Sequence, residues 1–311
     1  MIKHNKYRIL IYFFAFGLMS QEVQSQWFPD QFAYNLNSLL LNPAHAGNEG
    51  ESTVRIIGRY NFFGFDNGPQ MQTVSGNIKV HQNVGLGVSV MDYRSGPMAT
   101  QRMTFDGSYK IRLGNKIYAS AGLRAMYWNH SLSLSNLKRT VQNDPAFNGI
   151  YNREDMVDIG AGLLLYGDKS FFGVSIPQVR NYKESNSPEF AFMRRTYHAY
   201  AGYTFNIKKT FKLRTNILFR YFEDYYYGVD LNAQLSYLDK IHFGTYLRLD
   251  RSIGISAGMD VSRHWYLGYL FNVPYADQFK YGIPVSNEFS IRFKFKQPAL
   301  EQQIISPRFF D

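Results

Sequence analysis

The sequence predicts an all-β fold: a single transmembrane antiparallel up-and-down β-barrel of about 14 strands, with a short N-terminal plug-like segment. Three observations predict it. Apolar and polar residues alternate over most of the chain, aromatic residues make up 17% of it, and no apolar run reaches the ~18 residues of a transmembrane helix. Membrane barrels are rich in aromatic residues because the rings form belts at both membrane surfaces.

The clearest alternating stretch runs from Tyr225 to Tyr237. Its odd-numbered positions are apolar and begin and end with tyrosine, whereas its even-numbered positions, such as Asp230 and Gln234, are mostly polar or small. A tilted strand needs about 9–11 residues to cross a bilayer. This stretch is therefore long enough to place one face toward lipid and the other toward a lumen. The alternatives are a soluble β-sandwich or a large soluble barrel, but strands of soluble proteins average only about five or six residues.

The same alternation predicts fourteen strands along the chain. They are expected at residues 52–64, 69–80, 84–94, 98–112, 115–133, 155–167, 169–178, 194–207, 209–222, 225–238, 240–250, 252–262, 263–274 and 286–296. Short links are expected to form periplasmic hairpins at Gly114-Asn115, Gly167-Asp168 and Asp239-Lys240. Longer links are expected to face outside the cell at 134–154, 179–193 and 274–285.

The N-terminus has the features of a secretory signal peptide. Three basic residues precede a short apolar core from Ile9 to Leu18, which is too short to span a membrane. We therefore expect export to the outer membrane of a Gram-negative bacterium. The expected parts are a signal peptide at 1–25, an N-terminal periplasmic or plug segment at 26–50, the barrel at 51–296 and a C-terminal extension at 297–311.

The segment from Trp27 to Gly47 does not alternate. The spacing of its apolar residues predicts a short helix, with Phe32, Leu36, Leu39 and Leu40 on one face. Asn42-Pro43 is expected to end that helix. A helix this short cannot span a membrane, so we expect it to lie inside the lumen as a plug or under the periplasmic mouth.

Composition and motifs exclude most other functions. The formal net charge is +10, but the basic residues are spread over many strands and no nucleic-acid-binding motif accompanies them, so no nucleic acid is expected as a partner. The chain has no cysteine, which excludes thiolate metal sites. We expect no catalytic residue, cofactor or metal ion. An outer-membrane lipase that assembles serine and histidine from neighbouring strands stays open as an alternative.

Arginine and glycine recur on the polar face of the predicted strands. Five arginines are expected to face Asp230 or Asp158 across the lumen: Arg194, Arg214, Arg220, Arg248 and Arg292. We interpret them as a cross-strand network that stiffens the barrel, with an anion-selective pore as the alternative. Inward glycines are expected to leave room for a plug or a partner's strand, at Gly85, Gly87, Gly122, Gly160 and Gly162.

Several short motifs resemble one known family in their order and spacing. They are Gln31-Phe32, Tyr34-Asn35, Leu39, the run Leu41 to Gly47, Val84 to Val90, Asn143 to Phe147, Asp158 to Gly162, Phe172 to Pro177, Tyr200 to Tyr203 and Asn287 to Phe289. In these motifs the chain resembles the PorP/SprF family, outer-membrane proteins of the type IX secretion system of Bacteroidetes. The resemblance covers nearly the whole mature chain. Two departures are the extension 297–311 and the lack of a tryptophan in Asn61 to Gly64.

The resemblance implies a function. Such proteins help to export adhesin-like cargo proteins that carry a C-terminal targeting domain, or hold them at the surface, in secretion and gliding motility. It implies that the chain is no enzyme and that its partners are cargo, other type IX secretion components and outer-membrane lipid. Candidate partner-binding residues are Asn42, Pro43, Ala44, Gly47, Asp144, Pro145 and Phe147. The alternative is an outer-membrane pore or transporter for small solutes.

Overall fold

A computed structural model describes residues 37–61, 68–133, 151–184, 187–223, 226–249, 251–275 and 285–295 of the chain. The signal peptide expected at 1–25 and the extension expected at 297–311 lie outside these residues. Within the described part, fourteen strands form one closed antiparallel barrel, and two further strands form a small separate sheet.

The strands are numbered in chain order. They are β1 (Ser52–Asn61), β2 (Gln70–Lys79), β3 (Val84–Ser95), β4 (Met98–Arg112), β5 (Tyr118–Ser133), β6 (Tyr151–Tyr166), β7 (Ser170–Gln178), β8 (Tyr182–Glu184), β9 (Ser187–Met193), β10 (Thr196–Asn206), β11 (Phe211–Phe222), β12 (Tyr226–Tyr237), β13 (Ile241–Arg248), β14 (Ser252–Asp260), β15 (Trp265–Pro274) and β16 (Ser286–Phe295). Neighbours in the barrel follow chain order, except that β7 pairs with β10 across the small sheet of β8 and β9. The barrel closes where β1 pairs with β16.

The strands confirm the prediction made from the alternation of apolar and polar residues. Each of the fourteen predicted stretches corresponds to one barrel strand. The sequence did not predict β8 and β9, which lie in the link expected at 179–193. β6 also begins at Tyr151, four residues before its predicted start, because its first residues pair with the end of β5 beyond the part that carries the alternating pattern.

The two faces of the strands differ in chemistry. On β12, Tyr227, Leu231 and Leu235 are among the exposed apolar side chains, whereas Asn232 and Gln234 are buried. In a closed barrel, the buried face is the lumen wall and the exposed face is the outer surface. An outer surface of exposed apolar side chains is unfavourable in water and favourable in lipid. The lumen wall therefore carries the polar groups, as the sequence predicts.

The two ends of the barrel differ in the length of their links. The end that we call the short-turn end carries links of three to five residues, such as 113–117, 167–169 and 238–240, and β1 starts there. The opposite end, the long-loop end, carries the links 134–150, 179–195 and 275–285. In outer-membrane barrels short turns face the periplasm and long loops face outside the cell.

The outer surface of β5 locates the membrane on the barrel. From Ile117, which immediately precedes the strand, to Tyr127 the outward side chains are apolar or small, and Asn129 then bonds to Asp155 of β6 at 2.6 Å. Eleven residues of a tilted strand span about 25 Å, which matches the apolar band of membrane barrels. We infer that Asn129 and Asp155 lie at the outer membrane surface, and that β5 and β6 continue beyond it.

This position gives a direct test by charge insertion. Leu123 lies near the middle of the apolar band and is 71% exposed. Replacing Leu123 by arginine is expected to lower the free energy of unfolding in lipid vesicles by about 2–4 kcal/mol, because the guanidinium lies in the hydrocarbon layer. Replacing Asn129 by arginine should cost only about 0–1 kcal/mol, since it lies at the interface. Equal costs in urea titrations of the two variants would contradict the placement.

The segment before β1 differs from its prediction in one respect. Phe32 and Leu36, two of the four residues that define the predicted helix, lie outside the described residues. The described residues Leu39 and Leu40 do not continue as one helix up to Asn42-Pro43, because the chain there forms two short 3-10 turns, Ser38–Leu40 and Pro43–His45. Asn42 caps the second turn, because its side-chain oxygen accepts a hydrogen bond from the Ala44 amide at 2.8 Å. Asn42-Pro43 therefore begins the second turn as well as ending the first. No helix in the described part of the chain is long and apolar enough to cross a membrane.

Candidate functional site in the barrel lumen

Residues Asn37 to Glu49, which we call the inner segment, lie against the lumen wall. All but Leu40 are buried. The segment lies in the half of the lumen near the short-turn end, because Glu49 precedes β1 closely and accepts a hydrogen bond from Thr53 at 3.0 Å. Apolar wall residues pack with Leu41 and Ala44 in one buried cluster. Whether this segment closes the lumen stays a prediction.

Glycines on three strands let the inner segment approach the wall. A Cβ atom at Gly85 would overlap the main chain of Ala46 and Gly47, and one at Gly122 would overlap Pro43 and Ala44. Two more glycines are covered by inner-segment side chains, Gly87 by Leu39 and Gly162 by Asn42. The prediction that these inward glycines leave room for a chain is confirmed for these four. Gly160 is instead covered by the main chain of Pro177.

Wall side chains bind the carbonyl groups of the inner segment. Arg124 donates to the Leu39 carbonyl at 2.5 Å and to the Leu40 carbonyl at 3.2 Å. Three serines of different strands continue the series: Ser175 donates to Leu41 at 2.7 Å, Ser120 to Ala44 at 2.9 Å and Ser108 to Ala46 at 2.6 Å. Such bonds satisfy main-chain groups that an irregular segment leaves without a ladder partner. The wall therefore holds the backbone of the inner segment at five carbonyl groups.

Asn42 connects the inner segment to three strands of the wall. Its amide nitrogen lies 3.0 Å from the Leu163 carbonyl, 3.2 Å from the Val174 carbonyl and 2.9 Å from the Tyr200 hydroxyl. One side chain thus joins β6, β7 and β10 while its oxygen caps the following turn. His45 contacts the same Tyr200 hydroxyl through Nε2 at 2.8 Å.

His45 gives the inner segment a pH dependence. It lies outside the spanning strands, and burial lowers its pKa from 6.5 to about 4. The neutral ring is therefore favoured while the inner segment is bound to the wall. Between pH 6.5 and 4 the ring binds a proton only when the segment has left the wall, so protonation favours the detached state. The bound segment is thus most stable above pH 6.5 and loses stability as the pH falls toward 4. We expect amide-exchange protection of residues 38–48 to weaken by up to about 3 kcal/mol over this range. Unchanged pH dependence in His45→Gln would contradict this cause.

Buried ion pairs brace the rest of the lumen. Asp230 binds Arg220 at 2.7 Å and Arg248 at 3.2 Å, which confirms the cross-strand network predicted for these two arginines. The predicted partner of Arg292 is wrong, since it binds Asp260 at 2.8 Å. The prediction that Asp158 binds the side chain of one of these arginines is also wrong. Asp158 instead accepts hydrogen bonds from main-chain amides, including the Arg180 amide at 3.2 Å.

The other two predicted arginines bind elsewhere. Arg194 donates to the Glu223 carbonyl at 3.1 Å, and Arg214 lies 4.0 Å from Asp239 at the short-turn end. Neither contact involves Asp230 or Asp158, because the register brings each arginine next to a different acceptor. The arginines are thus spread among several acceptors, which fits bracing of the wall better than a continuous anion path.

The half of the lumen near the long-loop end contains a buried apolar cluster. Four methionines and one tryptophan of β2 to β6 form a buried cluster: Met71, Met91, Met126, Met156 and Trp128. The guanidinium of Arg102 lies over the Trp128 ring, 5.2 Å from its centre, and its Nε is buried without a hydrogen-bond partner. Methionine side chains adapt to irregular apolar surfaces, so this cluster suits an apolar occupant.

A serine, a histidine and an aspartate lie together near the short-turn end. His242 contacts Ser236 through Nδ1 at 2.9 Å and Asp260 through Nε2 at 3.0 Å. The ring nitrogens are used in the opposite sense to a Ser-His-Asp triad, in which Nε2 faces the serine. Ser236 is 0% exposed, so a substrate has no path to its hydroxyl in this structure. We interpret the three residues as part of the bracing network.

The predicted partner-binding residues divide into two groups. Asn42, Pro43, Ala44 and Gly47 lie together in the inner segment, where their contacts are with the chain's own wall. The other three, Asp144, Pro145 and Phe147, lie outside the described residues. The sequence did not identify the wall side chains that bind the segment, namely Ser108, Ser120, Arg124, Ser175 and Tyr200. Their inward position was the only available signal, and many residues share it. Within the described part, no group of three or more candidate ligands is placed to hold a metal ion.

Comparison with solved structures finds the same barrel fold. The CymD monoaromatic hydrocarbon channel is 13% identical and has a TM-score of 0.53, with 87% of this chain and 94% of that chain covered. The toluene transporter TbuX of Ralstonia pickettii is 12% identical, with a TM-score of 0.51 and coverage of 88% and 96%. The toluene transporter TodX of P. putida is 10% identical, with a TM-score of 0.51 and coverage of 84% and 95%. At such identities the similarity is one of fold.

Comparisons of sequence assign the family. No curated protein sequence matches the chain significantly. The family model described as type IX secretion system membrane protein PorP/SprF matches residues 23–293, which include all barrel strands but the last two residues of β16. The closed barrel, its apolar outer surface and the match to a type IX secretion system membrane protein place the protein in a Gram-negative outer membrane. The chain belongs to the PorP/SprF family of type IX secretion system membrane proteins.

Proposed function

We propose that the barrel is a non-enzymatic component of the type IX secretion system that helps to export a cargo protein or to attach it at the cell surface. The cargo is an adhesin-like protein with a C-terminal targeting domain, of the kind used in gliding motility. The family match supports the system. The observation that carries the proposal is the contact between the lumen wall and a polypeptide backbone. Two glycines of the wall, Gly85 and Gly122, lie against main-chain atoms, and wall side chains donate hydrogen bonds to a series of carbonyl groups.

We further propose that the inner segment acts as the plug expected for residues 26–50 and presents the partner-binding residues. In this arrangement Asn42, Pro43, Ala44 and Gly47 set the position of the segment in the lumen. The outer loop residues Asp144, Pro145 and Phe147 then contact the cargo at the surface. Other type IX secretion components are expected on the periplasmic side, and outer-membrane lipid surrounds the apolar band.

Deletion of the gene tests the function directly. Surface and secreted proteins of the deletion strain are compared with those of the parent by mass spectrometry, together with adhesion and gliding. We expect one or a few proteins with C-terminal targeting domains to be lost from the surface and to accumulate in the periplasm. Affinity purification of the barrel in mild detergent should recover the same proteins. Normal export and adhesion, with loss of uptake of a solute, would contradict the proposal.

A small-solute channel is the second candidate, because one observation favours it. The buried cluster of methionines and Trp128 near the long-loop end offers apolar surface to a solute, and the barrel resembles a monoaromatic hydrocarbon channel and two toluene transporters in fold. Uptake of toluene by proteoliposomes tests this alternative, with Trp128→Ala as the variant expected to reduce it. Uptake equal to that of empty vesicles would exclude toluene as the solute.

A further inference from the structure

One arginine near the long-loop end of the lumen stands among apolar side chains. Arg102 lies on β4, opposite Met91 of β3 and Trp128 of β5 in the register. Its neighbours on the same face of β4, Thr100 and Thr104, are buried, so Arg102 faces the lumen. Met91 and Trp128 are each 1% exposed, whereas Arg102 is partly exposed. A ligand inside the lumen can therefore reach this side chain.

The guanidinium of Arg102 has no anionic partner. In the described part of the chain it forms neither a hydrogen bond nor an ion pair, and its Nε is buried. It lies over the Trp128 ring, 5.2 Å from the ring centre. Asp106, further along the same face of β4, binds Arg124 with both of its oxygens, at 2.6 Å and 3.0 Å. A cation in apolar surroundings is unfavourable unless an anion pairs with it. The arrangement therefore favours binding of one negative charge from outside the chain.

We propose that Arg102 binds the carboxylate of a small organic acid whose remaining part is apolar. The planar guanidinium presents parallel N–H groups that match the two oxygens of a carboxylate. The cluster of methionines and Trp128 adjoins the guanidinium and offers apolar contact to the rest of the acid. A neutral hydrocarbon would leave the cation without a counter-charge, and a small inorganic anion would leave the apolar cluster without a partner. Membrane lipid around the barrel does not contact Arg102, because the side chain faces the lumen.

Isothermal titration calorimetry of the purified full-length barrel in detergent tests the site. The probe is phenylpropionate. It is compared at equal ionic strength with phenylpropanol, which keeps the apolar body without the charge, and with acetate, which keeps the carboxylate without the apolar body. We expect phenylpropionate to bind at least about tenfold more tightly than either, because only phenylpropionate contacts both the guanidinium and the apolar cluster. Equal affinity for phenylpropanol or for acetate would overturn the proposal.

Arg102→Met removes the charge and keeps a long, apolar side chain. We expect this variant to bind phenylpropionate at least about tenfold more weakly than the unmodified protein and to bind phenylpropanol equally well. The unliganded variant should unfold at no lower temperature than the unmodified protein, because a cation without a counter-charge has been removed. A loss of binding is then distinct from a loss of fold.

Arg94→Met is the matched control. Arg94 lies on β3 at the same end of the barrel, but its side chain is 61% exposed and pairs with Asp92 at 2.9 Å. This variant should bind phenylpropionate like the unmodified protein. Equal affinities of Arg102→Met and Arg94→Met for phenylpropionate would contradict the assignment of the site to Arg102. The assay needs neither export nor transport, so its outcome is independent of the proposed function.

Discussion

Replacing Gly122 by valine is expected to drive the inner segment off the lumen wall. A Cβ atom at this position would overlap the main chain of Pro43 and Ala44, and main-chain atoms cannot move aside as a flexible side chain does. The segment would then lose the hydrogen bond from Ser120 to the Ala44 carbonyl and, with it, the alignment of Asn42 with its three partners. Several hydrogen bonds of about 1 kcal/mol each depend on this alignment.

Amide hydrogen exchange of residues 38–48 measures the displacement. We expect protection in this region to fall by at least about 100-fold, which corresponds to about 2.7 kcal/mol. The barrel strands should keep their protection, because the register of β5 with β4 and β6 does not involve the glycine hydrogen atoms. If the inner segment presents partner-binding residues, export should also fail while the barrel still reaches the membrane.

Gly107→Val is the matched control for this substitution. Gly107 lies on β4, opposite Leu123 of β5, and a Cβ atom there would meet nothing within 4 Å. Both variants add the same side chain to a strand, so their difference isolates the effect on the inner segment. Equal exchange in the two variants would show that the close approach of the segment at Gly122 does not hold it in place.

The outer surface and the lumen wall differ in how far the sequence predicts them. Alternation identifies all fourteen barrel strands because every outward residue of a strand such as β12 meets the same apolar solvent. The sequence also identifies the inward glycines, since a glycine at an inward position of a strand leaves space against the lumen wall. Short links such as 113–117, 167–169 and 238–240 can join only neighbouring antiparallel strands. They therefore predict both the order of the strands and their antiparallel pairing.

Pairing inside the lumen is harder to predict, because it joins residues that are distant in sequence. Arg292 on β16 reaches Asp260 on β14, two strands away, while Asp230 binds arginines of both its neighbouring strands. Which acidic residue an arginine meets depends on strand tilt and shear, which alternation does not encode. Asn42 shows the same limit, since its partners Leu163, Val174 and Tyr200 belong to three neighbouring strands that lie more than 100 residues after it in the sequence.

Replacing Asp106 by asparagine is expected to have the largest effect of any single charge change in the lumen. Asp106 binds Arg124 through two contacts, 2.6 Å and 3.0 Å, and their side chains are 0% and 2% exposed. Arg124 in turn holds the Leu39 and Leu40 carbonyls. Removing the carboxylate leaves a buried guanidinium beside that of Arg102, which is close enough to repel it. Breaking a buried pair in this way costs about 3–5 kcal/mol.

Chemical unfolding of the barrel in lipid vesicles measures this cost, and Asp92→Asn is its control. Asp92 also binds an arginine, Arg94 at 2.9 Å, but their side chains are 31% and 61% exposed, so its loss should cost less than about 1 kcal/mol. Replacing Asp106 and Arg124 together by leucine should recover part of the stability, because no buried charge is then left alone. The double variant should nevertheless bind the inner segment less tightly to the wall, since the Leu39 and Leu40 carbonyls lose the hydrogen bonds from Arg124. A small cost for Asp106→Asn, similar to that of Asp92→Asn, would mean that water or another group compensates Arg124.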